Sequence, residues 1–451
     1  MSVTPIDSAI YGGLFTTAAM QAVLADEARL QRMLDVEAAL ARAQAKLGLI
    51  PASAAREITA KARLERFDPA AIRRGTELAG YPIVPLVKAL SELCEGDAGR
   101  YVHWGATTQD IVDSALVLQI RDALTLIEDD LGAILRRLVA MAQQYRDTPM
   151  AGRTHLQHAL PITFGFKCAV WLAAIQRHAR RLEALRREAL AVQFGGAVGT
   201  LASLGEDGLR VLSALADELG LAMPPIAWHV ARDGVAEVAC FLGLLTGSLG
   251  KIATDVALLM QIEVGEVAEP HSEGRGGSST MPQKRNPIAS ELIIAAAKNV
   301  RQLVPVMLDA MLQDHERATG PWHAEWLALP PAFALSAGAL HHARQLLDGL
   351  TVDADRMRRN LDATHGMITA EAVMMALAPT LGREEAHHVV AAACSKALET
   401  QSHLLEVLSA DPAVRPHLSR AQLERLLDPE SYTGLAGAFV DRVVAQSRIG
   451  E

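Results

Sequence analysis

The stretch from Val235 to Glu269, VAEVACFLGLLTGSLGKIATDVALLMQIEVGEVAE, is apolar around most of its helical circumference until Lys251. A helix of that kind must be covered on every face, either at the centre of an antiparallel bundle or against neighbouring subunits, and the oligomer is the favoured setting. Proline placement extends the pattern. None occurs from Leu86 to Thr148, from Ile162 to Met223 or from Ile226 to Glu269. A residue that breaks helix interiors is thus absent from three blocks, each able to hold a helix of roughly thirty residues, about 45 Å long.

Shorter periodic segments flank these blocks. DEARLQRMLDVEAALARAQAKLGL, from Asp26, is an amphipathic helix, and Pro51, Pro69, Pro82 and Pro85 divide the chain after it into shorter pieces. Past Pro330 and Pro331 the pattern returns to shorter helices. DADRMRRNLDA, GREEAHHVVAAACSKALET and SRAQLERLLDP each open on a polar cap and close at Pro, Gly or a polar turn. The reading is an all-α chain with an N-terminal helical domain over 1–105, a long-helix domain over 106–350 and a C-terminal helical domain over 351–451. Composition agrees: half of the residues are hydrophobic but only 4% are aromatic, and Ala and Leu outnumber the strand formers.

Charge and cysteines narrow the function classes. A formal net charge of -9 argues against a nucleic-acid partner, which requires a concentrated basic surface. Cys94, Cys168, Cys240 and Cys394 are scattered without a C-x-x-C pair, which suits a reducing cytoplasm. The N-terminus has no basic region followed by an apolar run, and the most apolar span, Val238 to Gly250, is too short to cross a bilayer. A soluble cytoplasmic protein is expected, without a membrane partner.

Three polar islands interrupt the long helices. YVHWGATTQD (Tyr101 to Asp110) carries His103, Thr107 and Thr108, and reads in part as a capping box of Thr107 and Asp110. GRTHLQHALP (Gly152 to Pro161) packs Arg153, Thr154, His155, Gln157 and His158 into six positions, a denser set of donors than a connection needs, with Pro161 placed for the first turn of the next helix. GGSSTMPQKRNP (Gly276 to Pro287) joins adjacent hydroxyls on Ser278 and Ser279 to Lys284, Arg285 and Asn286. Its glycines free the backbone and expose amides that can surround an anion, and Asn286-Pro287 is a cap and first-turn pair. A fourth segment, DHERATGPWHAEW, offers Arg317 and His323 beside two tryptophans as a pocket wall or an end-of-helix turn. QFGGAVGT lacks dinucleotide-binding spacing, and His341-His342 and His387-His388 lack metal-ligand spacing.

The string G-S-S-x-M-P-x-K-x-N-P, here Gly277 to Pro287, resembles the signature of the fumarase/aspartase superfamily, and the other two islands match its remaining active-site segments in order. Within it the chain is most similar to the carboxymuconate cycloisomerase branch, through LVKAL, RYVHWGAT, LQIRDAL, WHAEW, RMRRNLD and RLLDP. Adenylosuccinate lyase is the rival, with a similar T-S/T-x-D island and GAVGT. The resemblance implies a three-domain subunit with a central helical bundle, a homotetramer with active sites shared between subunits, and a small polycarboxylate substrate. It implies no metal and no organic cofactor. It also implies Ser279 as proton donor with Ser278 as fallback, and His155 as general acid or as a binding residue. Lys284 and Asn286 would stabilise a carbanion, while His103, Thr107, Thr108, Arg153, Thr154, Gln157, Arg317 and His323 would bind substrate.

Overall fold

The computed structural model describes residues 4–271, 276–277, 280–281 and 283–447. The chain is 69% helical and divides into two compact units, one of residues 1–131, 178–250 and 292–342, the other of 132–177, 251–291 and 343–451.

The first unit opens with two short helices, α1 (Gly12–Phe15) and α2 (Ala18–Leu24), before the amphipathic α3 (Asp26–Lys46). α4 (Ala52–Lys61), α5 (Pro69–Ala79) and α6 (Ile83–Leu93) come next. α5 shows how local chemistry sets the ends: Asp68 accepts from the Ala70 amide, Pro69 takes the first position, and Gly80 closes the helix at φ 80°. The proline-free blocks become α7 (Thr108–Gln144), α8 (Phe164–Ala189), α9 (Gly208–Leu219) and α10 (Asp233–Leu259), then α11 (Ile288–Asp309) and α12 (Pro321–Asp348). The core of this unit joins Leu34 and Leu40 of α3 to Ile58, Leu86, Ile111, Val112, Leu215 and Trp322. Each such side chain contributes about 1.5–3 kcal/mol when fully buried.

α12 passes through Pro330 and Pro331, so the expected break there is absent; the helix continues to Asp348. α10 is long and apolar enough by composition to cross a membrane, yet 56% of its apolar window is buried in the protein. Asp255 near its end accepts from Trp171 Nε1 at 2.7 Å and pairs with Lys251, which marks a helix packed in protein.

The second unit carries strands that the helical reading left out. β1 (Pro149–Thr154) and β2 (Gln157–Thr163) form an antiparallel hairpin, and β3 (Val267–Ala268) pairs with β4 (Thr351–Val352). Pro161 sits in β2 opposite Ala151 rather than in a first helical turn; α8 starts three residues later. A register shift between Ala151 and Arg153 brings Gly152 so close to β2 that a Cβ would lie 2.5 Å from the Leu160 carbonyl oxygen, so a side chain has no room. The rest of the unit is helical: α13 (Ala354–Leu361), α14 (Ala370–Leu381), α15 (Arg383–Thr400), α16 (Leu404–Ala410), α17 (Arg420–Leu426) and α18 (Ala436–Ala445). Asp353 caps α13 and a Ser419–Gln422 capping box opens α17, whereas α15 starts at Gly382 without a side-chain cap. Val373, Leu377, Val390, Leu404, Leu408 and Leu423 are buried together between α14 and α17.

Candidate active site

In the first unit the chemistry gathers at the N-terminus of α7. Thr107 donates its amide to Asp110 Oδ2 at 2.9 Å, one half of the expected capping box. Asp110 does more than cap. Fully buried, it also accepts from the amides of Gly195 and Gly196, both at 2.9 Å, and sits 2.7 Å from His229 Nε2. These four partners, with Gln193 Nε2 at 3.5 Å, compensate its desolvation. QFGGAVGT, dismissed as a nucleotide loop, is thereby a turn folded around Asp110.

Next to Asp110, the buried Gln109 donates through Nε2 to Asp113 Oδ2 at 3.0 Å and to the His229 carbonyl at 2.9 Å. Its Oε1 accepts from Arg317 Nη1 at 2.8 Å, and Arg317 Nη2 donates to the Ala197 carbonyl at 2.8 Å. Behind them lies a buried ionic cluster. Arg232 reaches Asp113 at 2.6 and 3.1 Å and Glu325 at 2.8 and 2.5 Å, and Trp322 Nε1 donates to Asp113 at 3.0 Å. Burial pushes the Glu325 carboxyl above its usual range although Arg232 pulls it back.

Thr108 is the first residue of α7 and is half-buried. His103, at φ 62°, places Nδ1 2.6 Å from Glu37 Oε1 and donates its amide to Glu37 Oε2 at 3.1 Å. Burial works against the imidazolium, but the Glu37 carboxylate outweighs it and the His103 pKa lies above its ordinary value. His323 packs against Trp326, ring centroids 4.6 Å apart, and faces Tyr81 at 5.7 Å.

In the second unit, His155 and Leu156 form the two-residue turn of the β1–β2 hairpin, at φ 50° and 64°. Positive φ at both central positions is the type I′ pattern that suits the twist of paired strands, but glycine or asparagine normally supplies it. Here an imidazole and an isobutyl group stand at the tip, 75% exposed in the case of Leu156, in a backbone conformation that costs strain. Thr154 and Gln157 close the turn as the last cross-strand pair, and Arg153 pairs with His158. Arg153 is bound in bidentate fashion to the buried Glu266, Nη1–Oε2 2.9 Å and Nη2–Oε1 2.6 Å, and Asn360 Nδ2 donates to the same carboxylate at 2.7 Å. Burial first, and then the Arg153 charge, hold the His158 pKa below its ordinary value.

Three residues beyond Glu266, Glu269 accepts the amides of Ala289 (3.0 Å) and Ser290 (2.9 Å) and the Ser290 hydroxyl (2.7 Å). The start of α11 is therefore capped by Glu269, not by the Asn286 side chain expected from sequence. Asn286 instead donates its backbone N–H to the Gly276 carbonyl at 3.0 Å, beside a bridge between Gly277 and Arg285. Lys284 is exposed. Ser278 and Ser279 lie outside the described residues.

Gln109, Asp113, Arg232, Glu325, Glu266 and Glu269 were not singled out from sequence. Two signals were there to read: carboxylates three apart in the apolar run VGEVAE, and an acid one turn after the TTQD island.

Comparisons with known proteins identify the family. A lyase family profile matches residues 13–302, and an adenylosuccinate lyase C-terminal profile matches 366–443. The chain is 52% identical to a 3-carboxy-cis,cis-muconate cycloisomerase of Pseudomonas aeruginosa over 99% of its own length and 98% of that protein's. Among solved structures it resembles the 3-carboxy-cis,cis-muconate lactonizing enzyme of Pseudomonas putida, with a TM-score of 0.92, 48% identity and 98% and 99% of the two chains covered. A fumarate lyase of Mesorhizobium sp. BNC1 gives a TM-score of 0.89 and 52% identity, over 96% and 98%.

Proposed function

Because the chain belongs to the fumarase/aspartase superfamily of lyases, we propose that it is a cycloisomerase, an intramolecular lyase closing 3-carboxy-cis,cis-muconate to 4-carboxymuconolactone in protocatechuate breakdown. The observation that carries the reading is the state of its arginines. Arg153 and Arg232 are neutralised by Glu266, Asp113 and Glu325, whereas among the described residues the partners of the Arg317 side chain are a neutral amide and a backbone carbonyl. An uncompensated guanidinium matches a substrate carboxylate in charge and in fork geometry.

The reaction needs no external nucleophile. One carboxylate oxygen of the substrate attacks the diene of the same molecule, a carbon–oxygen bond forms, and the displaced electron pair spreads into a neighbouring carboxylate. Tethering of nucleophile and electrophile favours closure. Ser279 then donates a proton to the carbanionic carbon and is reprotonated from solvent, with Ser278 as fallback donor. Lys284 and Asn286 steady the added negative charge, and His155 orients a carboxylate, since a carboxylate nucleophile scarcely needs protonation. His103, Thr107, Thr108, Thr154, Gln157 and His323 complete the substrate-binding set, and Arg153 organises the hairpin. The protein works as a homotetramer with active sites shared between subunits, in the cytoplasm, where its four unpaired cysteines stay reduced.

Ultraviolet assay of 3-carboxy-cis,cis-muconate tests the reading. Wild-type protein should turn it over, and Ser279→Ala should lose at least roughly a hundredfold. A protein inert toward this substrate that releases fumarate from adenylosuccinate belongs instead to the second reading, which the adenylosuccinate lyase C-terminal match favours.

A further inference from the structure

We infer that Gln109 and Asp110 are positioning residues that hold the Arg317 guanidinium in the orientation in which it receives a substrate carboxylate. The inference rests on the reading of Arg317 as a carboxylate-binding residue. Two consecutive residues in the first turn of α7 each govern one arm of a clamp.

The first arm is the Gln109 side chain. Its amide nitrogen has two acceptors, Asp113 Oδ2 and the His229 carbonyl, and no acceptor can be served by an oxygen, so the amide has a single orientation. Oε1 is left facing Arg317 Nη1. Asp113 cannot swing away, because Arg232 and Trp322 hold its other lone pairs. The second arm is indirect. Asp110 binds the Gly195 and Gly196 amides, which sets the turn whose next carbonyl, that of Ala197, accepts from Arg317 Nη2.

Two fixed acceptors on the two terminal nitrogens define the plane and direction of the fork. Both acceptors are neutral, so the cation is oriented without its charge being cancelled. Among the described residues, Nε–H and one further N–H on each terminal nitrogen remain available to a ligand. An ammonium on a flexible stem satisfies neither requirement of this clamp.

KM and kcat for 3-carboxy-cis,cis-muconate should be measured in the full chain for Arg317→Ala, Arg317→Lys, Gln109→Met and the double variant Gln109→Met/Arg317→Ala. Methionine keeps the length of Gln109, deletes Oε1, and leaves Asp113 its bonds from Arg232 and Trp322. Arg317→Ala should raise KM, and Arg317→Lys should fail to restore it. Gln109→Met should raise KM roughly tenfold, the scale of one hydrogen bond to a charged group, with kcat little changed. In the Arg317→Ala background the Gln109 change should add nothing, since coupled residues are not additive. A wild-type KM for Gln109→Met beside a raised KM for Arg317→Ala overturns the positioning role and leaves the substrate-binding reading standing. A wild-type KM for Arg317→Ala overturns both. Should Gln109→Met fail to fold, full activity of Arg317→Lys decides against the clamp, and its failure decides for it.

Discussion

At the scale of single residues, several side chains have their charge or rotamer fixed by their surroundings. His103 is one. Its pKa is raised in the folded state by Glu37, so the ion pair stabilises fully below the unfolded value of about 6.5 and is lost as pH rises through the folded value. Thermal melts of wild type and Glu37→Gln should therefore differ most at mildly acidic pH and converge toward alkaline pH; a gap that widens with pH would contradict the pairing. His155 is another. Asparagine tolerates positive φ, so His155→Asn should keep the hairpin and raise KM more than it lowers kcat, while the reverse pattern would make the imidazole a general acid. Much of this was legible in sequence at the level of which residues cluster: His103, Thr107, His155 and Arg317 all stand in the quoted islands. What His103, Arg153 and Arg317 touch was not, because Glu37, Glu266 and Ala197 are brought to them by the fold from 66, 113 and 120 positions away.

At the scale of elements, proline-free runs marked α7, α8 and α10, and the capping pattern marked α13 and α17. The β1–β2 hairpin escaped because its turn residues are His and Leu where the type I′ pattern calls for Asn or Gly, and Pro161 reads as a helix start. That same mismatch makes a prediction. Leu156→Asn relieves a left-handed backbone cost of about 1 kcal/mol at an exposed site, so the melting temperature should rise; a fall would show that the leucine side chain is itself held by something. The start of α11 makes a second one. Glu269→Gln sets an amide against the Ala289 and Ser290 amides and should cost about 1–2 kcal/mol, as loss of a helix cap does, read out by denaturant titration. Pro330 and Pro331 misled in the opposite direction. Two missing donors inside α12 lie among residues that are buried on both sides, Ala328, Leu329, Ala332 and Phe333, and such tertiary packing outweighs a local breaker.

For the whole molecule, composition pointed to the helical fold class, which comes from counts that need no structure; the net charge only argued against a nucleic-acid partner, and the small polycarboxylate ligand was read from the polar islands and the family resemblance. Assembly is where apolar surface speaks. Leu308, Leu312 and Leu327 are 46, 78 and 79% exposed in the single chain, and Leu244 of α10 is 54% exposed. The proposed tetramer would cover such exposed leucines, and sedimentation should return about 190 kDa, four chains of 48.3 kDa each; a 48.3 kDa species at working concentration would remove the tetramer.

The connector from Glu266 to Glu269 carries a further consequence for anyone who re-engineers this scaffold. With one carboxylate it grips the hairpin stem and with the next, three positions on, the base of the signature segment. Transplanting either the hairpin or the signature segment from a relative therefore requires transplanting these four residues as well, since a foreign loop set on a mismatched anchor would arrive intact and aim elsewhere.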